Sequence, residues 1–318
     1  MTKPRLPMLA SAMLAIGLNV SAADFPNKPL NIIVPFGAGG STDLMTRALA
    51  TQMAATLGQE VLVVNKAGAG GTIGTAEVAA AKADGYTLGM IPVGPLTTQP
   101  HLRRLPYSAD SFVAVCLVYS NPQALLVSKD APYKTVADFI ADAKTKPGKL
   151  KYGSSGAGSV PHLAFVAFAQ SAGIDVVHVP HKGDADNLTS LLGGHISAFI
   201  TQTTFLASND QTVKGLGLMD NKRLASAPDL STFAEQGQTP LSFHVWGGLA
   251  APRGTPGATL AALEKSCEMA VQSAGFRETL EKLQTPANYM GSKAYGEFIK
   301  AEFERNGKLL REAGLKKE

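Results

Sequence analysis

Three times along this chain an apolar strand runs straight into a glycine-rich turn and out into a helix. The turns are GAGGSTD at 37–43, GAGGTIG at 68–74 and GSSGAGSVPH at 153–162. Strands that alternate with helices in this way must lie largely parallel in one sheet, because each helix is the crossover that returns the chain to the same end. The fold class is therefore α/β. Glycine lets the backbone turn with positive φ and approach a ligand closely. The first N–H groups of the following helix have no intrahelical partner, and the helix dipole adds partial positive charge there. Such a turn suits a small anion without any lysine or arginine. Ser41, Thr42, Ser154, Ser155 and Ser159 add hydroxyls that can donate or accept. A phosphate reader would more often carry GxxxxGK[ST] or GxGxxG, and neither is present. A carboxylate is favoured, with phosphate left open. One such turn alone would read as an ordinary helix cap; three of them, split between two sets of units, point to a cleft.

The units follow in order. LNIIVPF leads to helix DLMTRALATQMAATLG, with Met45, Ala48, Leu49 and Met53 at helical spacing and Gly58 as its stop. Strand EVLVVN, helix TIGTAEVAAAKA and strand YTLGMIPV complete the first set. SFVAVCLVYSNPQALLVS is strand-like but interrupted at Asn121-Pro122, and can pass from one domain to another. TVADFIADAKTK, LKYGSSGAG, SVPHLAFVAFAQSAG, VVHVPHKG, DADNLTSLLGG and ISAFITQ form the second set. FHVWGGLAAP can cross back, and two helices, ATLAALEKSCEMAVQ and SKAYGEFIKAEFERNGKLLREAG, finish the chain. The expected architecture is two α/β lobes with two extended crossings: residues 24–122 plus 246–318, and residues 123–245. Ligands usually sit in a cleft of that kind.

Lys3 and Arg5, the apolar stretch Met8–Val20 and Ser21-Ala22-Ala23 read as a secretory signal peptide over residues 1–23. A membrane anchor fits less well, because Ser11, Gly17 and Asn19 break a stretch already short for a span. Lys3 and Arg5 supply two of the four net positive charges, so the exported chain is only mildly basic and no nucleic-acid partner is expected. Export would permit Cys116 and Cys267 to oxidise. Their apolar settings favour buried free thiols over a disulfide.

Individual polar residues divide between a ligand and the fold. Asp43 is expected to cap its helix rather than meet a ligand ammonium. His162 is expected to pack and bond to a neighbouring loop rather than act chemically. His181, with Lys182 and Asp184, either reaches the cleft mouth or makes a solvated turn. Trp246 is expected to pack at a hinge rather than stack on a ligand. Gly153-Ser154-Ser155-Gly156-Ala157 approximates a serine-hydrolase elbow, but Ala157 stands in the last glycine's place and no second loop looks dedicated to an oxyanion hole. No HExxH or CxxC is present, so neither a metal nor any other cofactor is expected.

FPNKPLNIIVPFGAGGSTDLMTRALA, VVNKAGAGGTIGTAEVA, ADGYTLGM, KPGKLKYGSSGAGSVPHLA, VPHKGDADNLTSLLGG, APDLSTFAEQG and WGGLAAPRGTP occur in this order. Together they resemble the extracytoplasmic solute receptors of tripartite tricarboxylate transporters, the TctC-like or Bug (Bordetella uptake gene) family. The resemblance implies a two-lobed periplasmic binding protein, type II-like, with two hinge crossings and no catalysis. It implies a periplasmic monomer whose partners are a small mono- or dicarboxylic acid and the membrane components of a transporter; a signalling partner is the alternative. Loops of the two lobes would pinch one carboxylate through backbone N–H groups, hydroxyls and bridging waters. The residues so assigned are Phe36, Gly39, Gly40, Ser41, Thr42 and Asp43 opposite Ser154, Ser155, Gly158, Ser159 and His162, with Gly71, Thr72, His181, Lys182 and Gln202 lining the rest. His181 departs from the family's usual tyrosine, which would make selectivity pH-sensitive. Thr201-Gln202-Thr203-Thr204 offers an amide and hydroxyls, favouring a polar or aromatic acid over an α-amino acid.

Overall fold

Leu30, Ile32 and Val34 on one face have no solvent exposure and Ile33 on the other is 4% exposed, so the first strand is enclosed on both faces, as the middle of a parallel sheet must be. The computed structural model describes residues 25–315 apart from Gly40, Lys182, Gln284 and Ala313. The expected signal peptide thus lies outside the described residues, as do two of the expected site residues, Gly40 and Lys182. The first set of elements is β1 (Leu30–Val34), α1 (Ser41–Leu57), β2 (Val61–Asn65), α2 (Thr72–Ala80), β3 (Thr87–Pro92), α3 (Gln99–Leu102) and β4 (Phe112–Ser128). Next come α4 (Val136–Thr145), β5 (Lys151–Ser154), α5 (Val160–Ala172), β6 (Val177–Pro180), α6 (Asp184–Leu192), β7 (Ala198–Gln202), α7 (Thr203–Ser208) and β8 (Val213–Met219). The chain then returns through β9 (His244–Pro252), α8 (Gly257–Gln272), α9 (Ala274–Lys282), β10 (Ala287–Gly291) and α10 (Ser292–Glu312).

The strands run in the order β2-β1-β3-β9-β4-β7-β5-β6, with β8 and β10 also paired to β4. Each end of this order is parallel, β1 with β2 and β3, and β5 with β6 and β7. The two parallel blocks are joined through antiparallel β9 and β4. This is a mixed α/β sheet with a parallel block at each end, the architecture expected from the sequence.

The long strand departs from expectation at its middle. Asn121-Pro122 does not interrupt it; β4 continues through both residues. Gln123 donates its N–H to Phe243 O, and alternate N–H groups of a strand point to opposite sides. The donor that Pro122 lacks would therefore face away from β9. On that side β10 has stopped at Tyr119 and β7 begins only at Gln123, so the ladder loses no bond. Proline is tolerated where the chain passes between two sets of partners.

The cysteines are a second correction. Cys116 on β4 and Cys267 on α8 are joined as a disulfide with their Cα atoms 6.6 Å apart. They face each other because Met45, Leu49 and Met53 of α1 are fully buried and α1 packs on α8, drawing that helix onto the sheet. Burial thus brought the two thiols to bonding distance rather than keeping them apart. Trp246 is packed as expected: it is wholly buried, its Nε1 donates to Glu302 Oε2 at 3.1 Å, and its ring meets Tyr295 and Phe298 on α10. α3, α7, β8, α9 and β10 lie beyond the elements expected from the sequence, and α2 stops at Ala80, a turn before its apolar pattern ends. None of the helices described is long and apolar enough to cross a membrane.

Candidate functional site

The turn after β1 is shaped by one buried carboxylate. Asp43 is only 2% exposed. It accepts the Gly39 N–H at 2.8 Å, Asn65 Nδ2 at 2.9 Å and Arg47 Nε at 3.0 Å. Burial alone would raise its pKa, but the bonds from Arg47, Gly39 and Asn65 outweigh it and hold the carboxyl below the usual range. Gly39 takes φ of +79°, which gives its N–H the direction that bond needs. With Asp43 turned inward, Phe36 and Thr42 are left to face the cavity. Thr42 Oγ1 is fixed 3.1 Å from the hydroxyl of fully buried Tyr119, whose pKa burial pushes up to about 12.

The turn after β2 is left-handed at Ala69, Gly70 and Gly71, with φ of 47°, 67° and 88°. A Cβ on Gly71 would meet Pro95 Cγ at 2.7 Å and Phe36 Cζ at 3.0 Å. Glycine is needed there so that this turn, the first turn and the segment after β3 can close on one another. Thr72 Oγ1 bonds back to Ala69 O at 3.0 Å. Gly70 faces the cavity, while Gly71 and Thr72 support it from behind.

From the other side comes the turn after β5. Ser154 has no exposure; its Oγ lies 2.7 Å from His178 Nε2 and donates to Gly156 O. Gly158 donates its N–H to His162 Nδ1 at 2.9 Å, and the His162 ring stacks on His178 with centroids 3.8 Å apart. Burial first, and the neighbouring His178 second, depress His162 to a pKa of about 4, so it is a neutral acceptor at ordinary pH. Ser159 caps α5 by accepting the His162 N–H, and Pro161 falls in the first turn, where its missing donor costs nothing. Ser155, at the nucleophile position of the elbow-like sequence, donates through Oγ to Asp184 Oδ1 at 3.4 Å rather than to a histidine, and the serine that does meet a ring, Ser154, is wholly buried with its hydroxyl donated to Gly156 O.

These turns converge on one cavity of about 460 Å³. Five residues expected at the site line it: Phe36, Thr42, Ser155, Ser159 and Gln202. Gly39, Asp43, Gly71, Thr72, Ser154, Gly158 and His162 stand behind the lining and hold the turns in shape. His181 also lies off the lining; its N–H donates to Ser154 O, in continuation of the β5–β6 ladder. Ser41 begins α1. No lysine or arginine lines the cavity among the described residues, and no cluster of metal-ligating side chains occurs among them. A separate concavity of about 550 Å³ between Leu224–Ser226 and Arg277–Ala287 contains none of the glycine-rich turns.

Two groups of lining residues were missed. Pro92 to Gln99, a π-helical turn with Gly94-Pro95 at its start, closes one wall. Its signal was present, since it too is a glycine turn leaving a strand. Gln99 and Gln123 also line the cavity, as does Asp184, which the sequence left between the cleft mouth and a solvated turn. Gln123 is fully buried and neither amide atom has a partner; Gln99 Oε1 and Gln202 Oε1 are likewise buried and unpartnered. An unsatisfied buried polar atom costs about 1–3 kcal/mol, so these groups are prepared for something that enters. Asp184 at the start of α6 is pushed above the usual carboxylate range by burial, with hydrogen bonds from Thr201 and Ser155 opposing the shift.

Comparison with known proteins places this geometry. Residues 45–315 match the model of the tripartite tricarboxylate transporter family receptors, TctC. Protein BugT of Bordetella pertussis is 32% identical, over 96% of this chain and 95% of its own. Rpa4515 of R. palustris, solved with adipate, superposes with a TM-score of 0.82 at 29% identity, covering 92% of this chain and 99% of that one. MatC of Rhodopseudomonas palustris, solved with bound malate, gives 0.77 at 28% identity, covering 90% and 100%.

Proposed function

The chain belongs to the TctC family of tripartite tricarboxylate transporter receptors, solute-binding proteins rather than enzymes, and we propose from that premise that it captures a small organic carboxylate between its lobes. It would do so in the periplasm, after export through a cleaved leader at residues 1–23, and present the closed complex to the membrane components of a tripartite tricarboxylate-type transporter. The observation that carries this reading is convergence. Glycine-rich turns from both parallel blocks, with the starts of α1, α5 and α6, surround one cavity of about 460 Å³, within the range of small-molecule sites. Backbone N–H groups and the hydroxyls of Thr42 and Ser159 would hold one carboxylate, helped by the positive ends of the helices. Adipate and malate in the two solved relatives are acids of the size such a cavity takes.

The lobes would be residues 24–122 with 246–318, and residues 123–245. Support comes from β4, which exchanges β9 and β10 for β7 and β8 at Pro122, and from the return crossing at Val245-Trp246, one residue of which lines the cavity. Closure would be a shift in the populations of open and closed forms, driven by a ligand that touches both lobes.

A melting-temperature screen of refolded protein against carboxylic acids and their methyl esters tests the reading. At a hundredfold excess over Kd a bound acid stabilises by about 2.7 kcal/mol, an easily visible shift. An acid that stabilises where its ester does not supports capture through the carboxylate. Equal stabilisation by acid and ester would refute it.

A further inference from the structure

The cavity holds more hydrogen-bonding capacity than one carboxylate can use. Gln99 comes from the segment after β3, Gln123 from the crossing strand β4 and Gln202 from the end of β7, so the three amides reach the cavity from both blocks and from the strand that joins them. Gln123 and Gln202 are register partners across the antiparallel β4–β7 pair, which sets their side chains next to each other on one face. Gln99 lies against the second glycine turn: a Cβ on Gly70 would come within 3.4 Å of its Nε2. Both amide atoms of fully buried Gln123, and the Oε1 atoms of the other two, have no partner.

We propose that Gln99, Gln123 and Gln202 form the selectivity end of the cavity, and that the solute is a monocarboxylate whose far end is a neutral donor–acceptor group, a carboxamide or a hydroxyl, rather than a second carboxylate. The inference rests on the carboxylate-capture reading above. An amide presents a donor and an acceptor together, and turning it over exchanges oxygen for nitrogen without removing either function. A carboxamide on the ligand can satisfy such a set on both counts. A second carboxylate accepts only, so it leaves the glutamine oxygens unpaired. It would also bring a second negative charge into a cavity that already contains Asp184 and has no lysine or arginine among its described lining residues. The same Asp184 carboxyl, already bonded by Ser155, suits a ligand donor better than a ligand acceptor.

Isothermal titration at pH 7.5 of protein freed of solute by unfolding and refolding tests this, with succinate, glutarate and adipate each set against its monoamide and its diamide. At least one monoamide should bind tenfold or more tightly than its diacid. Gln123→Met should then weaken that monoamide at least tenfold and cut its preference over the diacid to below threefold; Gln202→Met serves the same purpose if Gln123→Met does not fold. A diacid that binds as tightly as its monoamide overturns the inference and leaves carboxylate capture standing. A diamide that binds as tightly as the monoamide overturns carboxylate capture itself. Preference for the monoamide that survives both glutamine variants overturns the assignment of these residues, and no binding by any of the compounds overturns the inference as a whole.

Discussion

Acid should loosen this protein through its buried imidazoles, and the share of His162 can be isolated. His162 is 4% exposed, accepts the Gly158 N–H on Nδ1 and is stacked on His178, and its pKa is depressed to about 4. Unfolded, it titrates near 6.5. Between those values the unfolded chain binds more protons than the folded one, so this group's contribution to stability is complete above pH 6.5 and is lost as pH falls toward 4. Linkage across that gap amounts to about 2 kcal/mol at pH 5 and about 3 kcal/mol at pH 4. His162→Asn keeps an acceptor near Gly158 and does not titrate. Urea unfolding of both proteins at pH 7.5 and pH 5.0, at one ionic strength, should show the wild type losing about 2 kcal/mol more than the variant. His178, itself lowered by burial and then by His181, titrates in both proteins and largely cancels in the difference. Protonation of His162 also removes the acceptor that orients the turn from Ser155 to Ser159, so wild-type affinity for its solute should fall over the same interval. Identical pH dependence in the two proteins, within about 0.5 kcal/mol, would refute the argument.

Four other perturbations separate structural from ligand-facing roles. The Cys116–Cys267 bond closes a loop of 151 positions, and replacing both cysteines by alanine should cost about 2–5 kcal/mol of stability in denaturant titrations while leaving solute affinity nearly unchanged. Gly71→Ala adds a Cβ at φ +88° against Pro95 and Phe36, so it should cost about 2–4 kcal/mol and weaken solute binding, read by thermal melting and titration; a neutral result would mean the three turns do not support one another. Arg47 is half-exposed, so Arg47→Ala should cost less than about 1 kcal/mol. Asp43→Ala, which also strands the Gly39 N–H and Asn65, should cost about 2 kcal/mol or more in the same unfolding assay. Equal losses would show that the ion pair, not the backbone bond, shapes the first turn.

The split between those roles is what the sequence concealed. The strand–turn–helix units could be read directly, because glycine clusters between apolar runs have few other uses and Met45, Leu49 and Met53 mark the buried stripe of α1 without ambiguity. Which polar residue of a turn faces outward could not. Ser154 shares residue type and setting with Ser155, and Asp43 and His162 stand in the same polar turns as Thr42 and Ser159, yet Asp43, Ser154 and His162 bond to their own turn's backbone or to a neighbouring ring, and Thr42, Ser155 and Ser159 reach the cavity. That choice depends on the rotation of a turn within a few tens of degrees, which no spacing rule carries. The glutamines were hidden for a different reason. Gln123 sits within an apolar run whose pattern signals a buried strand, and a buried strand residue is normally a packing residue; only the crossing at Pro122, where β4 changes partners, opens one face of that strand to a cavity. The strand that joins the two parallel blocks would thus also supply a ligand contact. A solute bonded to Gln123 would engage the crossing itself, so binding there and closure of the lobes would be coupled through one strand rather than through two separately moving walls.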